Sequence, residues 1–261
     1  GNTAHLFDNL APELTNQFRV FALTRRGFGA SDRPASGYDS TNLVNDIAGL
    51  LDALRIEKVI LVGHSLAGQE MTRFAGEYPR RVRKMIYLDA AYDYSIGADV
   101  IAHFQSLLPR PSRDDQSSFE QLLHWRQKNL PGWNQACEND FRATRLKSGD
   151  EYTAQDSSPG TVQEEVIKGL ILSGSPDFER VTAPALAIFA DHDVGRHLSR
   201  AEEEKNESAK EVINAVVIWQ KNQKELFKQR VKNSQIITLT STDHFCSFTS
   251  RMKSSAKCVS F

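Results

Sequence analysis

The chain has 261 residues, of which 40% are hydrophobic and 25% are charged, the proportions of an ordinary globular protein. Its 32 Lys and Arg residues against 33 Asp and Glu residues give a net charge of −1, which argues against a nucleic-acid-binding protein because such proteins need a surplus of cations. No apolar run approaches the roughly 20 residues of a membrane-spanning helix, so we predict no membrane span.

Five short apolar runs have the length and composition of buried parallel strands. They cover residues 18–23, 58–62, 84–88, 185–189 and 235–239. Runs of this kind indicate a sheet with helices on both faces, because such a sheet buries nearly every side chain of its strands.

Helical patterns lie between these strands. Residues 41–55 carry an apolar stripe, with N-cap candidates at residues 39–41. Residues 66–78 carry a second stripe, and Pro79 ends that helix. Because strands alternate with helices, we predict an α/β fold with a doubly wound, mostly parallel sheet.

The alternation stops between residues 92 and 182, where helical pieces are separated by Pro and Gly clusters. We interpret this stretch as a helical lid inserted in a core of residues 1–91 and 183–261. The aromatic side chains of the lid predict an apolar pocket or, alternatively, the lid's own core; they are Phe104, Phe119, Trp125, Trp133 and Phe141. In the charged helical region at residues 199–233, we predict a buried side made of Ala215, Ile218, Trp219, Leu226 and Phe227.

The three cysteines are Cys137, Cys246 and Cys258. They are odd in number and widely spaced, which is typical of neither a disulfide framework nor a zinc site. We therefore interpret them as incidental thiols and predict no metal.

The most informative segment covers residues 59–68, where an apolar strand leads into Ser65 and a helix follows at once. A serine on so sharp a turn has a strained backbone and needs small residues two positions before and after it, which Gly63 and Ala67 supply. The turn lifts the hydroxyl above the carboxyl ends of the strands, where open α/β sheets bind ligands. It also brings the Leu66 N–H next to a developing oxyanion.

This segment, Gly63-His64-Ser65-Leu66-Ala67-Gly68, resembles the nucleophile elbow of the α/β-hydrolase fold superfamily. The resemblance is to the lidded group that contains esterases, lipases, carbon–carbon hydrolases, haloperoxidase-like proteins and epoxide hydrolases. Residues 26–34, with the sequence Arg-Gly-Phe-Gly-Ala-Ser-Asp-Arg-Pro, resemble the R-G-x-G-x-S loop that follows the family's fourth strand. The two motifs in this order are far more specific than either alone.

The resemblance implies a catalytic triad in the chain order Ser, acid, His. Ser65 takes the place of the nucleophile, and His244 matches the family's catalytic histidine after the last strand. A serine hydroxyl needs such a base to remove its proton, and the imidazole needs a carboxylate to hold its tautomer.

Three carboxylates are candidates for the acid. Asp193 aligns with the family's usual position after strand seven, and we take it as the predicted acid. Asp89 follows the strand at residues 84–88 and occupies the alternative position that some members use. Asp191 lies two residues before the usual position and is more typical of a solvated loop carboxylate.

A serine nucleophile favours an acyl-enzyme route over the alkyl-enzyme route of epoxide hydrolases, which attack with a carboxylate. We therefore predict a serine hydrolase that cleaves a small carboxylic ester without a cofactor or metal. A carbon–carbon bond hydrolase or a haloperoxidase-like perhydrolase is the first alternative. A non-catalytic or inactive fragment of such a hydrolase is the second.

Both ends of the chain depart from the family pattern. Residues 1–7 resemble the loop after the third strand, so we expect the first three strands and the second oxyanion donor to be absent. Loss of a central strand leaves rows of backbone groups without partners. Residues 246–261 show only a weak amphipathic stripe where the family has a final helix.

Overall fold

The computed structural model of the chain describes residues 3–148, 151–153, 162–171, 173–240, 242 and 244. Within them the helices are α1 (Ala11–Leu14), α2 (Ser40–Ala53), α3 (Ala67–Glu77), α4 (Ala98–Leu107), α5 (Phe119–Asn129), α6 (Gln135–Ala143), α7 (Val162–Ile171), α8 (Val194–Glu203) and α9 (Glu207–Arg230). The strands are β1 (Val59–His64), β2 (Val82–Leu88), β3 (Leu146–Ser148), β4 (Glu151–Thr153), β5 (Ala185–Ala190) and β6 (Ser234–Leu239).

The chain divides into two compact units. The sheet unit contains Tyr38–Leu108 and Val166–Thr242, and the N-terminal unit contains Gly1–Gly37, Pro109–Glu165 and Asp243–Phe261. The lid predicted at residues 92–182 stays a prediction.

The sheet unit is built on a parallel sheet with the strand order β1-β2-β5-β6. The register pairs His64 with Leu88 and Leu88 with Ile188, so the carboxyl ends of β1, β2 and β5 lie level with one another. Every residue of β5 is buried, as expected of a central strand covered on both faces. Four of the five predicted strands and the predicted parallel α/β architecture are therefore confirmed.

Local sequence accounts for the ends of the two helices next to β1. The Asp39 side chain caps α2 by accepting hydrogen bonds from the backbone N–H groups of Thr41 (3.0 Å) and Asn42 (3.1 Å). Helix α3 ends at Glu77, two residues before Pro79, which cannot continue it. Both helices were predicted from their apolar stripes.

Aromatic side chains form the centre of the sheet unit's core. Tyr87, Phe178 and Phe227 are fully buried and meet edge to face, with ring centroids 5.2–6.4 Å apart. The Tyr87 hydroxyl forms a hydrogen bond of 2.9 Å with Thr72 Oγ1, which removes the cost of burying that polar group.

The prediction of a strand at residues 18–23 is wrong. This segment is irregular, and Phe18, Phe21 and Leu23 are 41%, 44% and 47% exposed. A strand needs a neighbour for its backbone groups, and no strand in the described part of the chain pairs with this segment. Apolar composition alone therefore did not produce a strand here.

The charged region at residues 199–233 contains two helices rather than one continuous pattern. Lys205 has a left-handed backbone (φ 52°), and the Asn206 side chain caps α9 by accepting a 3.0 Å hydrogen bond from the Ala209 N–H. Trp219 and Phe227 are buried as predicted, but Ile218 is 61% exposed and that part of the prediction is wrong. Ile218 is one residue, or about 100° of helical rotation, away from the buried stripe that includes Trp219.

The N-terminal unit packs its own aromatic side chains. The rings of Phe119 and Phe141 stack at 5.2 Å, and Trp133 meets Phe141 at 6.2 Å. The guanidinium groups of Arg126 and Arg145 each lie 4.5 Å from the Phe141 ring centroid. These predicted pocket aromatics therefore contribute to the packing of this unit.

Cys137 corrects the interpretation of the cysteines as incidental thiols. It lies in α6, is buried and is disulfide-bonded. The other two cysteines, and the rest of residues 246–261 with their weak amphipathic stripe, lie outside the described residues. Spacing alone gave no sign of this bond.

Among the described helices, none combines the length and the apolar character that crossing a membrane requires.

Candidate active site

Polar residues follow the carboxyl ends of three neighbouring strands. Ser65 follows β1, Asp89 follows β2, and Asp191 follows β5. Because the ends of these parallel strands are level, their polar residues lie at one edge of the sheet, where doubly wound folds bind ligands. Ser65 (φ 56°) and Asp89 (φ 46°) both have left-handed backbones, a costly conformation for residues other than glycine.

The turn that carries Ser65 is packed too tightly for larger neighbours. A Cβ added at Gly63 would lie 2.4 Å from Met71 Sδ, and one added at Gly68 would lie 1.8 Å from the Ala90 carbonyl oxygen. Leu66 is the N-cap of α3, so its N–H is at the start of that helix. The strand, left-handed serine and immediate helix agree with the geometry that the motif predicts.

The Tyr94 phenol lies near Ser65 and Asp89, and both side chains act on its pKa. Burial, followed by the nearby Asp89 carboxylate, raises the pKa of Tyr94 well above its ordinary value. The phenol therefore stays protonated throughout the neutral range.

Asp89 is fully buried, and three groups bind its carboxylate. Oδ1 accepts hydrogen bonds from the Tyr92 hydroxyl and from the Ala190 N–H (2.9 Å). Oδ2 lies 2.9 Å from His192 Nε2. Asp89 and His192 are metal-ligating residue types, but their separation is that of a direct hydrogen bond. Burial is the main cause that raises the pKa of Tyr92, and the Asp89 carboxylate adds to it.

Asp193 has different surroundings. Its backbone is left-handed (φ 52°), it precedes the first residue of α8, and its Oδ2 forms a 2.8 Å ion pair with Arg196 Nε. Its N–H donates to Asp191 Oδ1 at 3.0 Å. Its assignment as the triad acid stays a prediction.

Asp191 anchors the segment that follows β6. Its Oδ1 accepts a 3.0 Å hydrogen bond from the Thr242 N–H, so this segment starts beside the turn after β5. His244 is half-buried and lies two residues beyond Thr242, which limits the distance between their Cα atoms to about 7 Å. His244 belongs to the N-terminal unit, so its pairing with Ser65 in the sheet unit stays a prediction.

Sequence reasoning missed three residues at this edge of the sheet: Tyr92, Tyr94 and His192. One signal was present, because His192 stands between two candidate acids in the turn after a predicted strand. The two tyrosines gave no comparable signal, since only the folding of the segment after β2 brings Tyr94 to a serine 29 positions earlier in the sequence.

Comparison with known proteins agrees with the fold described above. A sequence profile described as the alpha/beta hydrolase fold matches residues 1–108. The chain is 27% identical over 190 residues to a 2-(acetamidomethylene)succinate hydrolase of Mesorhizobium japonicum, which covers 70% of this chain and 64% of that protein. It is 29% identical over 179 residues to a 2-hydroxy-6-oxo-2,4-heptadienoate hydrolase of Pseudomonas putida, which covers 64% of each chain. The alignments thus span slightly less than two thirds of these curated relatives.

A solved structure agrees at the level of the fold. The crystal structure of E-2-(acetamidomethylene)succinate hydrolase superposes with a TM-score of 0.70 and 20% identity, covering 99% of this chain and 86% of that one. The parallel sheet, the serine turn between β1 and α3, and these likenesses lead to one conclusion: the chain has the α/β-hydrolase fold.

Proposed function

We propose that this protein is a serine hydrolase that cleaves a small carboxylic ester through an acyl-enzyme intermediate. Ser65 attacks the carbonyl carbon, and His244 takes the serine proton and then protonates the leaving alcohol. The Leu66 N–H stabilises the oxyanion, and Asp193 orients His244. Water then attacks the acyl-enzyme and releases the acid.

One observation carries this proposal: Ser65 has a left-handed backbone between a parallel strand and the first turn of α3. This conformation costs about 1–3 kcal/mol, and such strain is concentrated at functional sites. The surrounding residues support the same role, because Gly63 and Gly68 leave no room for a side chain in the turn. An ordinary N-capping serine needs neither feature.

The identity of the acid is part of the proposal. Asp193 has the position that the resemblance implies, but its carboxylate is paired with Arg196. Asp89 is fully buried and has a histidine on Oδ2, which are properties of an acid that orients an imidazole. On the resemblance we keep Asp193 as the proposed acid, and the contacts of Asp89 make it the alternative to be tested beside it.

A carbon–carbon bond hydrolase is the second candidate function. It is favoured by the similarity to the 2-hydroxy-6-oxo-2,4-heptadienoate hydrolase of Pseudomonas putida. Ester and carbon–carbon bond cleavage are separated by a substrate panel of p-nitrophenyl acetate, p-nitrophenyl butyrate and a 2-hydroxy-6-oxo-dienoate. We expect turnover of the esters to exceed turnover of the dienoate; the reverse order would favour the second candidate.

The serine is tested by labelling with a fluorophosphonate, which reacts with activated serines. The wild type and Ser199→Ala, which removes an exposed hydroxyl on α8, should be labelled, whereas Ser65→Ala should not. Equal labelling of Ser65→Ala and the wild type would refute the proposal. If the folded wild type is not labelled and does not turn over any ester, the alternative that the chain is an inactive fragment is supported instead.

The acid is tested by comparing Asp193→Asn with Asp89→Asn. Replacing the acid of a serine triad lowers kcat by roughly 10⁴ when the imidazole loses its tautomer. We expect this loss in Asp193→Asn. A loss of that size in Asp89→Asn, with near-normal kcat in Asp193→Asn and matching thermal stability, would assign the acid to Asp89.

A further inference from the structure

We propose that the N-terminal unit contains a binding site for a carboxylate, formed by the guanidinium groups of Arg126 and Arg145 and the indole N–H of Trp133. Arg126 lies in α5, Trp133 follows that helix, and Arg145 follows α6. The site uses no residue of the serine turn and no residue of the proposed triad. Carboxylate binding is therefore a function in addition to the proposed hydrolysis.

The first observation is that two cations share one aromatic ring. The guanidinium carbons of Arg126 and Arg145 each lie 4.5 Å from the ring centroid of Phe141, so the two carbons are at most about 9 Å apart, twice that distance. Trp133 meets the same ring edge to face at 6.2 Å. Three side chains that can only donate hydrogen bonds are therefore collected around one phenylalanine.

The second observation is that these donors lack acceptors. Within the described residues, the side chains of Arg126 and Arg145 form neither an ion pair nor a hydrogen bond. Arg126 Nε and Trp133 Nε1 are moreover buried atoms without a hydrogen-bond partner. A buried donor without an acceptor is costly, and native proteins contain few of them, so each one calls for a ligand or another explanation.

One carboxylate of the protein acts on this pair of cations. Asp140 attracts the charge of Arg126, but its Oδ1 already accepts hydrogen bonds from the N–H (2.5 Å) and the Oγ1 (2.8 Å) of Thr3. A single carboxylate balances only one of the two cations. One positive charge is therefore left over beside the ring of Phe141.

The two arginines also disfavour each other. Burial lowers the pKa of both guanidinium groups, and the charge of Arg145 lowers the pKa of Arg126 further. Arginine nevertheless stays protonated in a protein, so both charges persist throughout the neutral range. Two like charges that have lost part of their hydration are unfavourable together unless an anion accompanies them.

The charge and the donors together select the class of ligand. Arg126 and Arg145 carry two positive charges and Asp140 carries one negative charge, so an anion with a single charge makes the site neutral. A phosphate dianion would leave a negative charge in excess. The planar fork of a guanidinium matches the two oxygens of a carboxylate. The stacked rings of Phe119 and Phe141 (5.2 Å) offer an apolar surface beside the donors, so the structure fits a carboxylic acid with a short hydrocarbon chain.

Arg142 shows the ordinary arrangement of an arginine on an aromatic ring. Its guanidinium lies 5.0 Å from the ring centroid of Phe119, and its Nη2 forms a 2.8 Å ion pair with Glu138. The charge of Arg142 is thus neutralised within the protein, so this arginine needs no external anion. It provides a matched control for the two arginines of the proposed site.

The test is isothermal titration calorimetry with sodium butyrate at constant ionic strength. Butyramide is the uncharged analogue, and inorganic phosphate at pH 8 is the dianion. We expect saturable binding of butyrate, no binding of butyramide, and at least tenfold weaker binding of phosphate. Arg126→Met and Arg145→Met keep an apolar side chain and should each weaken butyrate binding at least tenfold, because each removes charged hydrogen bonds to the ligand. Arg142→Met should bind butyrate as the wild type does.

Thermal unfolding distinguishes binding from packing. Butyrate should raise the melting temperature of the wild type, because a ligand that binds the folded state stabilises it. Arg145→Met should lose this rise without a lower melting temperature in the absence of butyrate, since it removes one of two repelling charges. If the arginine only packs on Phe141, the opposite is expected: a lower melting temperature and an unchanged rise with butyrate.

Every other result would overturn the proposal. The site is refuted if butyrate does not bind the folded wild type, if butyramide binds equally well, or if Arg126→Met and Arg145→Met both retain the wild-type affinity. Tighter binding of phosphate than of butyrate would refute the assignment to a carboxylate. None of these outcomes depends on the labelling of Ser65, so this proposal and the proposed function can fail separately.

Discussion

Gly68 offers a sharp test of how the serine turn is packed. It lies in the first turn of α3, and a Cβ added there would sit 1.8 Å from the Ala90 carbonyl oxygen and 2.8 Å from the Ala90 carbonyl carbon. An ordinary van der Waals contact begins near 3.4 Å, so Gly68→Ala must move α3 or the Ala90 peptide by about 1.6 Å. The obstacle is backbone and cannot rotate away.

The magnitude follows from two opposing effects. Overpacking against a fixed neighbour costs up to about 3 kcal/mol, whereas replacing a helical glycine by alanine gains about 1 kcal/mol. The expected net loss in the free energy of unfolding is about 2 kcal/mol, or about 4–8 °C in melting temperature for a chain of this size. Because Ala90 follows Asp89, ester turnover should fall as well.

Gly49→Ala is the matched control. Gly49 is an exposed glycine in α2, and a Cβ there meets nothing within 4 Å. The same substitution should therefore raise stability by up to about 1 kcal/mol through helix propensity alone. Thermal and urea unfolding measure both variants. If Gly68→Ala is as stable as Gly49→Ala, α3 does not approach the Ala90 carbonyl as closely as described.

Three further predictions concern stability. Cys137→Ser should lower the free energy of unfolding by about 2–5 kcal/mol, because it removes the disulfide bond of Cys137; the effect should disappear when wild type and variant are compared under reducing conditions. Burial lowers the pKa of His197, so below about pH 6.5 the unfolded chain binds more protons than the folded chain. The free energy of unfolding should therefore fall more between pH 7.5 and 5.5 in the wild type than in His197→Gln. Parallel plots of stability against pH for the two proteins would contradict this. Asp39→Ala should cost about 1 kcal/mol by removing the cap of α2, and an unchanged urea midpoint would show that the cap contributes nothing.

Local sequence patterns were sufficient to predict the structure where one short segment determines its own fold. The strand β1, the left-handed Ser65 and helix α3 follow from residues 59–79 alone, because small residues, an apolar run and a terminating proline act within a few positions. The cap at Asp39 is local for the same reason.

The sequence was not sufficient to predict the structure where a residue depends on partners that are far away in the chain. Residues 18–23 have strand composition but no strand pairs with them within the described residues. The partners of Asp89 include His192, which lies more than 100 positions later, and no spacing rule connects them. Similarly, Gln223 and Asp93 meet only because α9 packs beside the segment that follows β2.

The central claim is that an imidazole near the end of the chain activates the serine after β1. The most direct measurement is the rate at which a fluorophosphonate adds to the Ser65 peptide, followed by mass spectrometry, in the wild type, His244→Ala and His124→Ala. His124 is an exposed histidine on α5 and serves as the control. We predict that His244→Ala slows adduct formation at Ser65 by at least about 10³ while His124→Ala has no effect. Labelling of His244→Ala at the wild-type rate would contradict the account.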